Sequence, residues 1–139
     1  MGDVLGGTEN DDAAFVLRFG SRAFGNQINM ILDVTQEVLV KSLGVPERDR
    51  YQIVREHVPS RSHRGYRLGI RRTPNMLVLQ VTTRPHSHSM KQAFYKMLVQ
   101  KLEDVCGIAP SDVVVTFVTN TDEDWSFGLG RAQFLTGEL

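Results

Sequence analysis

The chain has one cysteine, Cys106, so it has no intramolecular disulfide framework. Cys106 falls at the end of a helical pattern and reads as a small buried apolar side chain rather than a reactive thiol. No apolar run approaches the ~18 residues a membrane-spanning helix needs. The opening stretch, MGDVLGGTENDD, carries neither a basic segment nor an apolar one, so it does not read as a secretory signal. Met1-Gly2 lacks the Ser or Thr at position 6 that myristoylation requires, because Gly6 stands there. There is no excess charge of either sign. Sixteen basic and sixteen acidic residues cancel, which argues against nucleic acid or an anionic membrane as partner. A cytoplasmic protein is the expectation.

The composition is that of an ordinary globular chain. At 139 residues, 41% of them hydrophobic and 23% charged, it suits one domain with a true core. Residues 1–12 are rich in Gly, Asp and Asn without apolar periodicity and read as a flexible extension. Residues 13–139 read as the folded domain.

Periodicity predicts the elements of that domain. Ala14 to Phe19 suits a strand. Ile28, Ile31, Leu32, Thr35, Val38, Leu39 and Ser42 recur at helical spacing, predicting a helix over about 26–43 that Gly44 and Pro46 stop. Tyr51 to Val58 is a second strand. Met76 to Thr83 is the clearest strand of all. Met90, Phe94, Met97, Leu98, Lys101, Leu102 and Val105 predict a helix over about 88–105, ended by Gly107. A fourth strand runs from Asp112 to Val118.

The second half repeats the first. Gly44 to Asp49 lines up with Gly107 to Asp112 at a constant offset of 63 residues (107 − 44 and 112 − 49). The fold expected is therefore α/β: a tandem βαβ duplication with units over about 13–58 and 76–119, followed by a C-terminal segment, 120–139. Right-handed crossovers put both helices on one face of a four-stranded mixed sheet. The other face, expected to be rich in Val, Leu, Ile and Phe, then needs cover, and other subunits are its natural source. Between the units, Pro59 to Pro74 is a strongly basic link, read as a solvated loop or as an anion-attracting rim.

Four segments, in one order, carry a resemblance: Asp49-Arg50-Tyr51-Gln52, Thr83-Arg84-Pro85, Cys106 through Asp112, and Asp124-Trp125-Ser126-Phe127-Gly128 onward to Gly137. Together they resemble the malonate semialdehyde decarboxylase-like branch of the tautomerase superfamily over about residues 13–139. The resemblance implies a cofactor-independent homotrimer with no metal and with pockets at the sheet edges. It also implies a mature chain beginning with proline, whose free secondary amine moves protons or acts as a cation. Arginines would grip a substrate carboxylate, since a guanidinium matches it in bidentate fashion.

Position by position, the resemblance puts Ala13 where the family has its proline. Asp49 fills the family aspartate, Arg84 the first carboxylate-binding arginine, and Trp125, Phe127 and Phe134 the hydrophobic wall. His86 stands where the decarboxylases have a second arginine. These departures matter chemically. The nitrogen of Ala13 is an amide behind twelve residues, without useful basicity or charge. A histidine offers a charge only in mild acid and lacks the arginine fork. His86-Ser87-His88 has no placed third ligand and is a weak metal motif. His57 and His63 read as an ordinary strand and loop residue.

Three functions follow. The first is a tautomerase homologue with Ala13 inert and the usual tautomerase, decarboxylase and hydratase activities absent, keeping a small-carboxylate pocket. The second is an enzyme with redirected chemistry, in which Asp49 or His86 is the general base and Arg84 binds the carboxylate. The third is a structural or regulatory subunit. Asp49 also has a plain reading, because its repeat counterpart Asp112 suggests a brace at the turn into each strand.

Overall fold

The computed structural model describes residues 13–19, 27–56 and 67–139, with the backbone alone for 13–19 and Arg67. Four strands and two long helices alternate: β1 (Ala13–Phe19), α1 (Ile28–Leu43), β2 (Tyr51–Glu56), β3 (Leu77–Thr83), α2 (His88–Cys106) and β4 (Val113–Thr119). A single helical turn, α3 (Gln133–Thr136), lies near the end of the chain.

Both long helices stop where the glycines stand. Gly44 and Gly107 adopt left-handed φ values of 73° and 68°, and their N–H groups return to Val40 and Glu103 carbonyls. A side chain at these positions would strain the backbone, so the glycine both ends the helix and turns the chain toward the next strand. Ser87 starts α2 by accepting a hydrogen bond from the Met90 N–H. His86-Ser87-His88 is therefore a helix start, with His88 as the first helical residue.

The strands form one sheet in the order β2-β1-β3-β4. β1 is parallel to β2 and antiparallel to β3, and β3 is parallel to β4. Each βαβ unit thus supplies one parallel pair, and the two units meet along the antiparallel pair in the middle. The helices pack on one face. Ile31, Val38, Leu39 and Leu43 of α1 meet Phe94, Leu98 and Leu102 of α2 over Leu77, Leu79 and Val81 of β3. Cys106 joins them, and burial pushes its thiol pKa up. The predicted face of α2 is shifted at its end: Val105 is exposed while Cys106, four residues after Leu102, turns inward.

The opposite face differs in composition from the expectation. β3 alternates strictly, with Leu77, Leu79, Val81 and Thr83 buried beneath the helices. The large side chains go inward, as do Val113, Val115 and Phe117 of β4 and Val54 of β2. What remains outward is Tyr51 and Ile53, then Val78, Gln80 and Thr82, then Val114, Thr116 and Val118. Among the described side chains it is a mixed Val, Ile, Thr, Gln and Tyr surface without Leu or Phe.

Candidate functional site

The register gathers one end of the sheet. Ala13 pairs with Thr83, Ala14 with Tyr51, and Thr83 with Thr119. The starts of β1 and β2 and the ends of β3 and β4 therefore share one edge. Asp49 lies two residues before β2, and Arg84 follows β3 directly.

The segment after β4 crosses that edge. The Asn120 N–H donates to the Thr83 carbonyl (2.9 Å), which fixes the chain beside the end of β3. Residues Asp122–Asp124 then form a short 3₁₀ turn closed by a capping box, in which Asp124 accepts from the Thr121 N–H at 2.8 Å. Trp125 donates its indole N–H to Asn120 (2.7 Å) and stacks on Phe127, with ring centres 5.2 Å apart and nearly parallel. Phe127 meets Phe134 edge-on at 5.5 Å and Tyr51 at 6.2 Å. A segment that touches Thr83 on β3 and Tyr51 on β2 passes the start of β1, because β1 lies between them. The backbone of Ala13 is at that start.

Arg84 is held inside this arrangement. Its guanidinium carbon sits 4.2 Å from the centre of the Phe134 ring, and its Nε lies 2.8 Å from Asp122 Oδ1. Only 17% of the side chain is exposed. A guanidinium over an aromatic face is attracted by the ring quadrupole and keeps its planar edge directed past it. The adjoining surface cleft, about 400 Å³, is lined by Arg84, Pro85, Thr121, Asp122, Glu123 and Leu135.

Gln133, the first residue of α3, keeps the wall in place. Gln133 accepts from the Phe127 N–H and donates to the Gly128 carbonyl, so one amide spans the Gly128-Leu129-Gly130 turn. Leu129 takes a left-handed φ of 60° there and is 85% exposed.

The other sequence-predicted residues are placed differently. The Asp49 carboxylate makes a long ionic contact with Arg48 (3.9 Å), and its main-chain carbonyl accepts from buried Gln36 (3.3 Å). Neighbouring Arg50 and Gln52 brace β2 on α1, through Asp33 (2.6 Å) and the Leu32 carbonyl (3.0 Å). His86 is half-buried in the link between β3 and α2. Arg84, Trp125, Phe127 and Phe134 thus form one contact series, which among the described residues includes neither Asp49 nor His86. Sequence reasoning did not single out Tyr51, Gln36, Asn120 or Asp122. Tyr51 was legible as a strand residue within the Asp49-Arg50-Tyr51-Gln52 segment but not as a part of the wall, and the others needed the fold to bring them there.

In the basic link, Arg72 donates to the Ser111 carbonyl (2.7 Å) and Thr73 binds Asp112, so this part braces the start of β4. His57, Val58 and His63 lie outside the described residues. Among the described residues, no group of three or more His, Cys, Asp or Glu could hold a metal, and no helix is long and apolar enough to cross a membrane.

This fold and site define a class, and comparison with known proteins gives the same one. The model of the tautomerase enzyme family matches residues 49–128. The chain belongs to the tautomerase family. It is 46% identical to the probable tautomerase YrdN of Bacillus subtilis (strain 168), over 82% of this chain and 89% of that protein. Crystal structures of malonate semialdehyde decarboxylase, concerned with its decarboxylase and hydratase activities, superpose with a TM-score of 0.82 at 44% identity. They cover 91% of this chain and 98% of theirs. A second malonate semialdehyde decarboxylase, inhibited by 3-bromopropiolate, gives 0.83 at 34% identity, covering 91% and 97%. A fused 4-OT trimer shares the fold alone, at 15% identity, a TM-score of 0.71 and coverage of 88% and 98%.

Proposed function

We propose that this tautomerase-family chain binds a small carboxylic acid at Arg84 and lacks the family chemistry that depends on an N-terminal proline. The observation that carries the reading is the guanidinium of Arg84, largely buried, seated on Phe134 and continuous with the Trp125–Phe127 stack. Such a group costs desolvation to keep, and a carboxylate ligand would gain a charge-assisted bond of the strong kind. The inhibition of a similar decarboxylase by 3-bromopropiolate, itself a small carboxylate, supports this ligand class. Ala13 sits beside Thr83 in the register, where its nitrogen is an amide and can neither carry charge nor accept a proton. A homotrimer fits the outward sheet face, where Tyr51, Ile53 and Val118 stand 50%, 57% and 45% exposed in the single chain.

One observation favours a second reading, redirected catalysis. Asp49 keeps its carboxylate 17% exposed with only a long contact to Arg48, whereas its repeat counterpart Asp112 is fully engaged. In that reading Asp49, or His86 two residues from Arg84, serves as general base.

Incubating the protein with an enol, a semialdehyde and halogenated acrylic acids separates the two. Turnover at the buffer rate supports the first reading. Turnover well above buffer, lost in Arg84→Ala and with a bell-shaped pH profile removed by Asp49→Asn or His86→Ala, overturns it in favour of the second.

A further inference from the structure

We infer that Asp122 determines the ligand charge that the Arg84 site accepts, selecting monocarboxylates against dicarboxylates. The inference rests on the reading of Arg84 as a carboxylate anchor and goes beyond it by naming the residue that limits the anchor.

The geometry makes Asp122 an internal competitor. Its Oδ1 lies 2.8 Å from Arg84 Nε, the distance at which a ligand carboxylate would sit. The competitor is not on a loose side chain at the end of a free loop. Its turn is tied to β3 by the Asn120–Thr83 bond, closed by the Thr121–Asp124 capping box, and continued into the Trp125 stack. Movement of Asp122 away from Arg84 therefore has to work against a braced segment.

The cleft beside the pair adds a second effect. Among the described residues, its lining contains one cation, Arg84, and two carboxylates, Asp122 and Glu123. A ligand bringing one negative charge meets the guanidinium with an uncharged remainder toward the acids. A ligand bringing two negative charges must place the second near Asp122 or Glu123, where like charges in a partly enclosed cleft repel. The ion pair and the cleft lining point the same way.

Asp122→Asn isolates the charge, since asparagine keeps an acceptor oxygen for Arg84 and loses the anion. Trp125 is the only tryptophan of the chain, so its fluorescence reads ligand arrival at the wall. Acetate, malonate and the neutral control acetamide are titrated into wild type and variant at mildly alkaline pH, where malonate is mostly a dianion. Wild type should bind acetate more tightly than malonate. Asp122→Asn should tighten acetate about fivefold and malonate about tenfold or more, without changing acetamide. A residue that merely held the fold would weaken binding on substitution. Asp122→Ala carries the same expectation for malonate, so poor folding of one variant leaves the other to decide. If wild type binds acetate and neither variant binds malonate more tightly, the inference is wrong while the carboxylate reading stands. If neither anion binds to wild type or variants, both fall together.

Discussion

Both carboxylate oxygens of Asp112 are engaged by Thr73: Oδ1 accepts its N–H at 2.7 Å and Oδ2 its hydroxyl at 2.6 Å. Asp112 is 2% exposed, so these bonds hold a buried charge that would otherwise be very costly. They tie the start of β4 to the loop that leads into β3. The carboxylate of Asp49, at the same place in the first repeat, has no such partner and makes only the 3.9 Å contact with Arg48. The two βαβ units carry the same residue at this place in different surroundings.

That contrast gives a stability prediction. Asp112→Ala should cost about 3 kcal/mol, because two part-buried hydrogen bonds between Thr73 and a carboxylate are lost. Asp49→Ala should cost under about 1 kcal/mol, since only a long ionic contact disappears. Urea unfolding midpoints of the two variants check this directly. Equal losses would mean that Asp49 is a structural brace like its counterpart.

A second prediction concerns acid. Glu37 on α1 lies 2.8 Å from Lys41 of its own helix and 3.3 Å from Lys101 of α2. The hydrogen bond from Lys41, followed by that from Lys101, lowers the Glu37 pKa. A lowered folded-state pKa means that the carboxylate contributes stability above its unfolded value. That contribution is lost as pH falls through the folded one. Stability should therefore decline in acid, below the ordinary carboxylate range, and Glu37→Gln should flatten that part of the pH profile. Because the cluster is exposed, the difference should shrink in high salt. Urea midpoints measured against pH at two salt concentrations test both statements.

Much of the fold was legible because local chemistry and global fold agree. Gly44 and Gly107 each take the left-handed conformation that their position after an amphipathic run implied. Ser87 caps α2 where the helical pattern begins. The repeat of 63 residues gave the βαβ units, but periodicity carries no information on which strands become neighbours, so the order β2-β1-β3-β4 needed three dimensions. The site was legible in part for the same reason. Trp125, Phe127 and Phe134 were marked by resemblance, and the structure brings their rings together. Asp122 carried no signal of its own, and Tyr51 was marked only as a strand residue in the Asp49-Arg50-Tyr51-Gln52 segment. Their contacts with Arg84 and Phe127 arise only because the C-terminal segment crosses the sheet edge.

Leu129 supplies a third prediction, from backbone strain. A leucine at φ 60° pays the steric cost of the left-handed region, and with 85% exposure it gains almost nothing from burial. Asparagine tolerates that conformation better. Leu129→Asn should therefore raise stability by about 0.5–1 kcal/mol, read as a higher thermal midpoint. A loss of stability instead would show that Leu129 is covered in solution, as a self-association contact would cover it, and sedimentation of the variant would then report a smaller species.

The last prediction tests the proposal that proline-dependent chemistry is lost from this chain. On the proposed reading, with the pocket otherwise competent, the loss would lie at position 13, where Asp12 and Ala13 are joined by an amide. A chain lacking residues 1–12 and carrying Ala13→Pro would place a secondary amine at the start of β1, beside Thr83 and under the segment that bears Trp125. Positioned proton transfer contributes about 10²–10⁴-fold, so turnover of a semialdehyde should rise by that order over the unaltered protein. Adding His86→Arg should raise it further by lowering KM more than by raising kcat, because a second guanidinium acts on carboxylate binding. Trimming residues 1–12 without Ala13→Pro exposes a primary amine at the same place and should give a smaller gain. If the Ala13→Pro chain folds, binds acetate and remains at the buffer rate, the missing chemistry is not confined to the amine. The arrangement of Asp49 and His86 would then have to be part of the loss.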